Sequence, residues 1–152
     1  MVAYRTNVLT FDQPENWQDQ SITAFRIPAA SGGSDASFVV TRDDGKGVKD
    51  FAAYVAEQIQ ACSHALPDFA LIKSEPMTVG GRAAHWAEFT WKKDGAPLQL
   101  RQIYFDCIFF ATICTLTSTP RDIGFVEPAW QRLMSSVTFD RPEAVPVFPK
   151  AR

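Results

Sequence analysis

Three consecutive stretches decide the fold: Ala83-Ala84-His85-Trp86-Ala87-Glu88-Phe89-Thr90-Trp91, then Lys93-Asp94-Gly95, then Leu98-Gln99-Leu100-Arg101-Gln102-Ile103-Tyr104-Phe105. The outer two are rich in aromatic and aliphatic residues at alternating positions, the period of a strand whose side chains point to opposite faces. The middle one is turn chemistry, and a short turn makes the strands it joins antiparallel. Ile108 to Leu116 continues the strand pattern on one side, and Phe69 to Lys73 precedes it on the other, with Gly80-Gly81 as a further turn. Because Ile108 to Ile113 is largely apolar on both faces, it predicts a central strand covered on both sides.

Working outward, Val8 to Phe11 and Ile22 to Ile27 alternate around the turn residues Asp12-Gln13-Pro14-Glu15-Asn16, and Ala36 to Thr41 stops at Asp43-Asp44-Gly45. Asp50 to Leu66 has helical periodicity and ends at Pro67, since the residue before proline disfavours the helical backbone. A last helix is signalled by Glu127-Pro128, with Trp130, Leu133, Met134 and Val137 on one face. Strands, helix, strands, helix predicts an α+β fold, a twisted antiparallel β-sheet packed with two main α-helices. Residues 1–139 are expected to form the domain, and 140–152, with a proline every three or four positions, an extended tail.

With 152 residues, 46% of them hydrophobic, the chain can bury one core. Its 15 basic and 17 acidic residues give a net charge of -2, without the basic stripe a nucleic-acid binder needs to neutralise phosphates. Aromatic residues make up 12% of the chain, too many for a disordered one. The start, Met1-Val2-Ala3-Tyr4-Arg5-Thr6-Asn7, has no basic and then apolar leader, and Cys107 to Leu116 is about half of the roughly 20 residues a membrane-spanning helix needs. The three cysteines, Cys62, Cys107 and Cys114, lie among apolar neighbours and read as reduced thiols. A cytoplasmic protein without stable membrane insertion is the expectation.

Catalytic and metal chemistry find little to build on. A nucleophile site needs a histidine, and only His64 and His85 are present. His85 alternates with Ala83, Ala87, Phe89 and Trp91, the pattern of a histidine at the edge of an apolar sheet face, and His64 falls on the polar side of its helix. Cys107 and Cys114 are too far apart for a short-spaced zinc motif, and Gly45-Lys46-Gly47 lacks the following residues of a phosphate loop and reads as a turn. No catalytic residue, metal or cofactor is expected.

Two glutamines break apolar patterns. On a helical wheel, Phe51, Val55, Ile59, Cys62 and Leu66 share one stripe, and Gln58 lies about 20 degrees beyond Phe51. In the later strand, Gln102 shares a face with Leu98, Leu100 and Tyr104. A buried amide without partners costs a few kcal/mol, so each glutamine is paired internally, reaches water, or faces a ligand.

Several motifs in fixed order resemble those of the Eag chaperones, a DcrB-like family: Trp17-Gln18-Asp19-Gln20-Ser21-Ile22, Ala36-Ser37-Phe38-Val39-Val40-Thr41-Arg42-Asp43, Leu98-Gln99-Leu100-Arg101-Gln102, and Thr117-Ser118-Thr119-Pro120 followed by Glu127-Pro128-Ala129-Trp130. The resemblance spans about Tyr4 to Val137. It implies a Mog1/PsbP-like sandwich and a non-enzymatic role in bacterial type VI secretion. Proteins of this family bind the N-terminal transmembrane region of an effector that carries a PAAR domain, often of the Rhs type, and keep it shielded before loading on the secretion spike. They act as homodimers. Carried over by position, the binding residues are Ile22, Ala24, Gln58, Cys62, Leu66, Leu98 and Gln102; Ala24 and Cys62 depart from the residue types the family often has there. The other classes are a DcrB/Mog1-like binding module for a soluble protein or small apolar ligand, and an enzyme with His85 beside an acid or thiol.

Overall fold

Two-residue turns set the register of the sheet. Val79 pairs with Arg82 across Gly80-Gly81, and Lys93 pairs with Ala96 across Asp94-Gly95. All four turn residues have positive φ, at 58°, 78°, 52° and 81°, the hairpin geometry whose twist matches that of the flanking strands. Glycine adopts it freely, and aspartate is among the few other residues that tolerate it.

The computed structural model describes residues 2–5, 9–18, 20–29 and 32–139. Two compact units are present. The first holds β1 (Val2–Arg5) and β2 (Thr10–Gln13), which pair antiparallel with each other. The sequence pattern sets Val8 to Phe11 and Ile22 to Ile27 around a turn beginning at Asp12; β2 instead includes Asp12 and Gln13 and pairs with β1, which no sequence signal marks. The predicted tail, 140–152, lies outside the described residues.

The second unit, Ser21–Thr138, carries β3 (Ile22–Ile27), β4 (Ala36–Asp43), α1 (Phe51–Ala65), β5 (Ala70–Val79), β6 (Arg82–Lys93), β7 (Ala96–Asp106), β8 (Ala111–Ser118) and α2 (Ile123–Ser136). Its six strands form one antiparallel sheet in the order β3-β4-β8-β7-β6-β5, the α+β fold expected. The pairing of β4 with β8, from Ser37↔Thr117 to Asp43↔Ala111, joins the two halves of the sequence.

α1 follows its sequence signals closely. Asp50 caps it, its carboxylate accepting from Ala53 N at 3.0 Å, and Leu66 N closes the last turn on Cys62 O at 3.0 Å. Tyr54 and Val55 pack with Ala87, Tyr104 and Ala111, flanked by Phe51, Ile59 and Ile113. α2 lies on the opposite face, where Trp130 makes edge contacts with Phe38 and Trp86 at 6.4 and 5.6 Å between ring centroids. Two helices on two faces give the sheet both its covers.

The largest shifts from the sequence pattern are in β5, α2 and β8. β5 runs to Val79, through Pro76, which an edge strand accommodates because its N–H would face outward. α2 begins at Ile123 and carries Pro128 inside it. β8 is central as expected, but it begins at Ala111: Cys107 N bonds Phe110 O, and Ile108 takes φ 69°, so 107–110 is a hairpin loop.

That loop is held by a lysine. Lys46, in the 3-10 turn after β4, is 2% exposed, and its Nζ reaches Ile108 O at 2.8 Å, Gly47 O at 3.1 Å and Asp106 Oδ1 at 3.1 Å. The Gly-Lys-Gly segment is therefore a turn whose cation is a buried tie, since a desolvated ammonium needs acceptors for its three hydrogens.

Candidate functional site

Register places the singled-out residues on one face. The pairs Ala24↔Val39, Val39↔Thr115, Thr115↔Gln102 and Gln102↔Ala87 form a row across β3, β4, β8, β7 and β6. The adjacent row is Ile22↔Thr41, Thr41↔Ile113, Ile113↔Tyr104 and Tyr104↔His85. Since Ala87, Tyr104 and Ile113 pack with α1, all of these side chains belong to the α1 face.

α1 covers that face unevenly. Ala87 and Tyr104 are buried, Gln102, Thr115 and Val39 are half-buried, and Ala24 and Ile22 are exposed, Ile22 at 67%. The face therefore grades from closed core under α1 to an open floor at β3, where the apolar Ile22 and Ala24 lie beside Thr41, Ser37 and Arg26. Gln58 is on the same side of α1 as Tyr54. It follows Tyr54 by one turn, and Tyr54 OH donates to Asp43 Oδ2 of β4 at 2.6 Å, so that helix edge points at β4. Gln58 is half-buried, and its side-chain amide makes no hydrogen bond among the described residues.

At the other end, Lys92 N bonds Pro67 O at 2.9 Å, which ties the segment just after Leu66 to β6 beside Trp91, and Trp91 pairs with Leu98. Leu66 and Leu98 thus flank the same end of the face, both half-buried. Cys62 is half-buried, and burial pushes its thiol pKa up. Of the seven residues carried over from the family, Ile22, Ala24, Leu98 and Gln102 lie on the α1 face, Gln58 and Cys62 on α1, and Leu66 at its C-cap.

Gln102 is the polar point of the floor. Its Oε1 accepts from Tyr104 OH at 2.6 Å, and its Nε2 lies 3.4 Å from Thr115 Oγ1. The sequence reading missed Tyr104 as its partner, and also Ser37, Val39, Thr41, Thr115 and Thr117, which share the face. A signal was present: Thr115 and Thr117 alternate with the buried Cys114 and Leu116, which marks them as the other side of the strand.

His85 sits at the far edge of this face and bonds Ser74 Oγ at 2.8 Å. Burial lowers its pKa, against an opposing effect of the Glu75 charge. No group of three or more His, Cys, Asp or Glu that could hold a metal ion occurs among the described residues. No helix among them is long and apolar enough to cross a membrane.

The opposite face holds a buried charge cluster. Glu88 accepts from Trp86 Nε1 at 3.1 Å, Gln99 Nε2 at 2.6 Å and Arg101 Nε at 3.2 Å, while Arg101 Nη1 reaches Glu127 on α2 at 2.5 Å. The Arg101 guanidinium lies 4.9 Å from the Trp86 ring centroid and 5.2 Å from that of Trp130. Every partner is internal, so this cluster fixes α2 on the sheet.

Comparison with known proteins gives the same organisation. The protein named Effector EagT6 of Pseudomonas aeruginosa is 38% identical over 137 residues, which cover 90% of this chain and 95% of that protein. A Pseudomonas aeruginosa crystal structure described as protein of unknown function PA94, putative regulator, superposes with a TM-score of 0.84 at 37% identity, covering 91% of this chain and 96% of the other. LpqN of Mycobacterium tuberculosis, described as involved in cell envelope biogenesis, shares the fold at a TM-score of 0.52 and 13% identity, over 81% of this chain and 86% of its own. Residues 9–136 match the DcrB family. With that match over most of its length and the identity to EagT6, the chain belongs to the DcrB family and to the Eag proteins within it.

Proposed function

We propose that this protein is a type VI secretion effector chaperone, and that the open part of its α1 face shields the N-terminal transmembrane helices of a PAAR-bearing, Rhs-type effector in the cytoplasm until they are loaded on the spike. The observation that carries the reading is the graded face: Ile22 and Ala24 are exposed and Val39 half-buried beside a helix, with the amides of Gln102 on the floor and Gln58 on the helix. The relationship to EagT6 supports the same reading.

The physics of such a task matches these side chains. A transmembrane helix satisfies its own backbone, so in water its liability is apolar surface, and burial gains about 25 cal/mol per Å2. Aliphatic side chains supply that gain. Glutamines add orientation, because an amide can bond a carbonyl or a Ser/Thr hydroxyl where helices carry small residues and pack closely. A homodimer fits the geometry: one open face covers one side of a helix, and two copies enclose it. No cofactor enters this scheme, and release follows when a competing site, such as the membrane, holds the helices more strongly.

Co-expression with the N-terminal fragment of a PAAR-domain effector tests the proposal. A soluble complex is expected that contains two copies of this chain and disappears when the transmembrane segment is deleted. A complex that survives the deletion overturns it and favours a module for soluble partners.

A further inference from the structure

We propose that Tyr104 is a positioning residue that turns Gln102 into a hydrogen-bond donor toward the open floor, so that the preferred occupant is a transmembrane helix broken by a proline; this rests on the chaperone reading above. The argument starts from the phenol. Tyr104 is 2% exposed, and a buried hydroxyl needs an acceptor for its hydrogen. Gln102 Oε1 is that acceptor, at 2.6 Å.

The amide cannot be reversed without cost. An NH2 group donates and does not accept, so turning it over would leave the Tyr104 hydrogen without a partner, whereas the Thr115 hydroxyl can serve in either role. The neighbouring phenol does not compete, because Tyr54 sends its hydrogen to Asp43 Oδ2. Burial, and next the Cys62 and Asp43 charges, push the Tyr104 pKa up, so it stays a donor at any physiological pH.

The amide nitrogen is therefore what Gln102 has left to offer. Its contact with Thr115 Oγ1 is long, 3.4 Å, and Thr115 pairs with Val39 toward the open side of the sheet. A donor that an apolar helix would cover selects an acceptor on that helix. In an unbroken helix each interior carbonyl is already bonded to the N–H four residues on; a proline has no N–H, and frees the carbonyl one turn before it. Such a carbonyl is strongly disfavoured in an apolar setting unless a donor meets it.

The test uses the full-length protein and two synthetic peptides of about 20 Leu, Ala and Gly residues with lysines at both ends, one carrying a central proline and the other alanine there. Titrations should show the wild-type protein binding the proline peptide about five- to tenfold more tightly, the worth of one added hydrogen bond. Tyr104→Phe and Gln102→Leu should bind both peptides alike. Gln102→Glu keeps an acceptor for Tyr104 but has no N–H, so it too should lose the preference while its near-UV circular dichroism stays native. If Tyr104 served packing alone, Tyr104→Phe would weaken both peptides equally and leave their ratio intact, which overturns the inference. Equal binding by the wild type also overturns it and leaves the chaperone reading standing. Binding of neither peptide overturns both.

Discussion

Glu88 and Arg101 face each other directly across β6 and β7, both more than nine-tenths buried, and are joined by hydrogen bonds of 3.2 and 3.4 Å. Neither charge has water to fall back on, so removing Arg101 leaves the Glu88 carboxylate desolvated with only the neutral donors of Trp86 and Gln99. Arg101→Ala is expected to cost about 3–5 kcal/mol in urea unfolding. The double variant Arg101→Met, Glu88→Leu should recover most of that loss, because it removes both charges together. An Arg101→Ala loss below about 1 kcal/mol would show that the pair is solvated.

Ile108 tests the hairpin. A β-branched residue at φ 69° is strained, and at 53% exposure its side chain gains little from burial. Ile108→Gly should raise stability by about 0.5–1 kcal/mol, the relief of left-handed strain less the added freedom of glycine in the unfolded chain. Lys46→Met should act in the opposite sense, by about 2 kcal/mol, because it leaves Ile108 O and Asp106 without their donor. Urea midpoints at constant slope measure both.

Asp122 gives an acid limb to the stability. Its carboxylate accepts from Ser34 N at 3.1 Å and from Thr119 Oγ1 at 2.8 Å, and these bonds, in that order, hold its pKa below the usual carboxylate value. A depressed folded pKa means that the unfolded chain takes up the proton first. The contribution is thus fully present above the unfolded value of about 3.9 and is lost as the pH falls through the lower folded value. The stability difference between wild type and Asp122→Asn should be largest near neutrality and shrink below about pH 4. A difference that stays constant to lower pH would contradict this role.

Ile22 separates binding from folding. At 67% exposure it contributes little to the core, so Ile22→Asp should change stability by no more than about 0.5 kcal/mol. The same charge on the proposed floor would be buried against an apolar helix, and the co-expressed effector fragment should be bound at least about a hundredfold less tightly. An unchanged complex would move the binding surface elsewhere.

Local patterns were enough for much of the molecule. Alternation in Ala83–Trp91 and Leu98–Phe105, with Asp94-Gly95 between, determined a hairpin, and the stripe from Phe51 to Leu66 with Asp50 ahead and Pro67 behind determined α1. The same periods put Gln102 beside Leu98 and Gln58 beside Cys62, because side-chain direction along a strand or helix is fixed by the backbone repeat. Tertiary structure alone decided the rest. Ser37 meets Thr117 because the backbone N–H and C=O groups of β8, covered on both faces, need a paired strand along each edge, a demand no local window contains. Lys46 holds Ile108, and Tyr104 reserves the oxygen of Gln102, through contacts set by burial and hydrogen-bond satisfaction. Ile22 and Phe38 have the same apolar character in the sequence, yet one lies open at the sheet edge and the other is closed under Trp130. Exposure depends on what packs above a residue, and that is a property of the assembled layers.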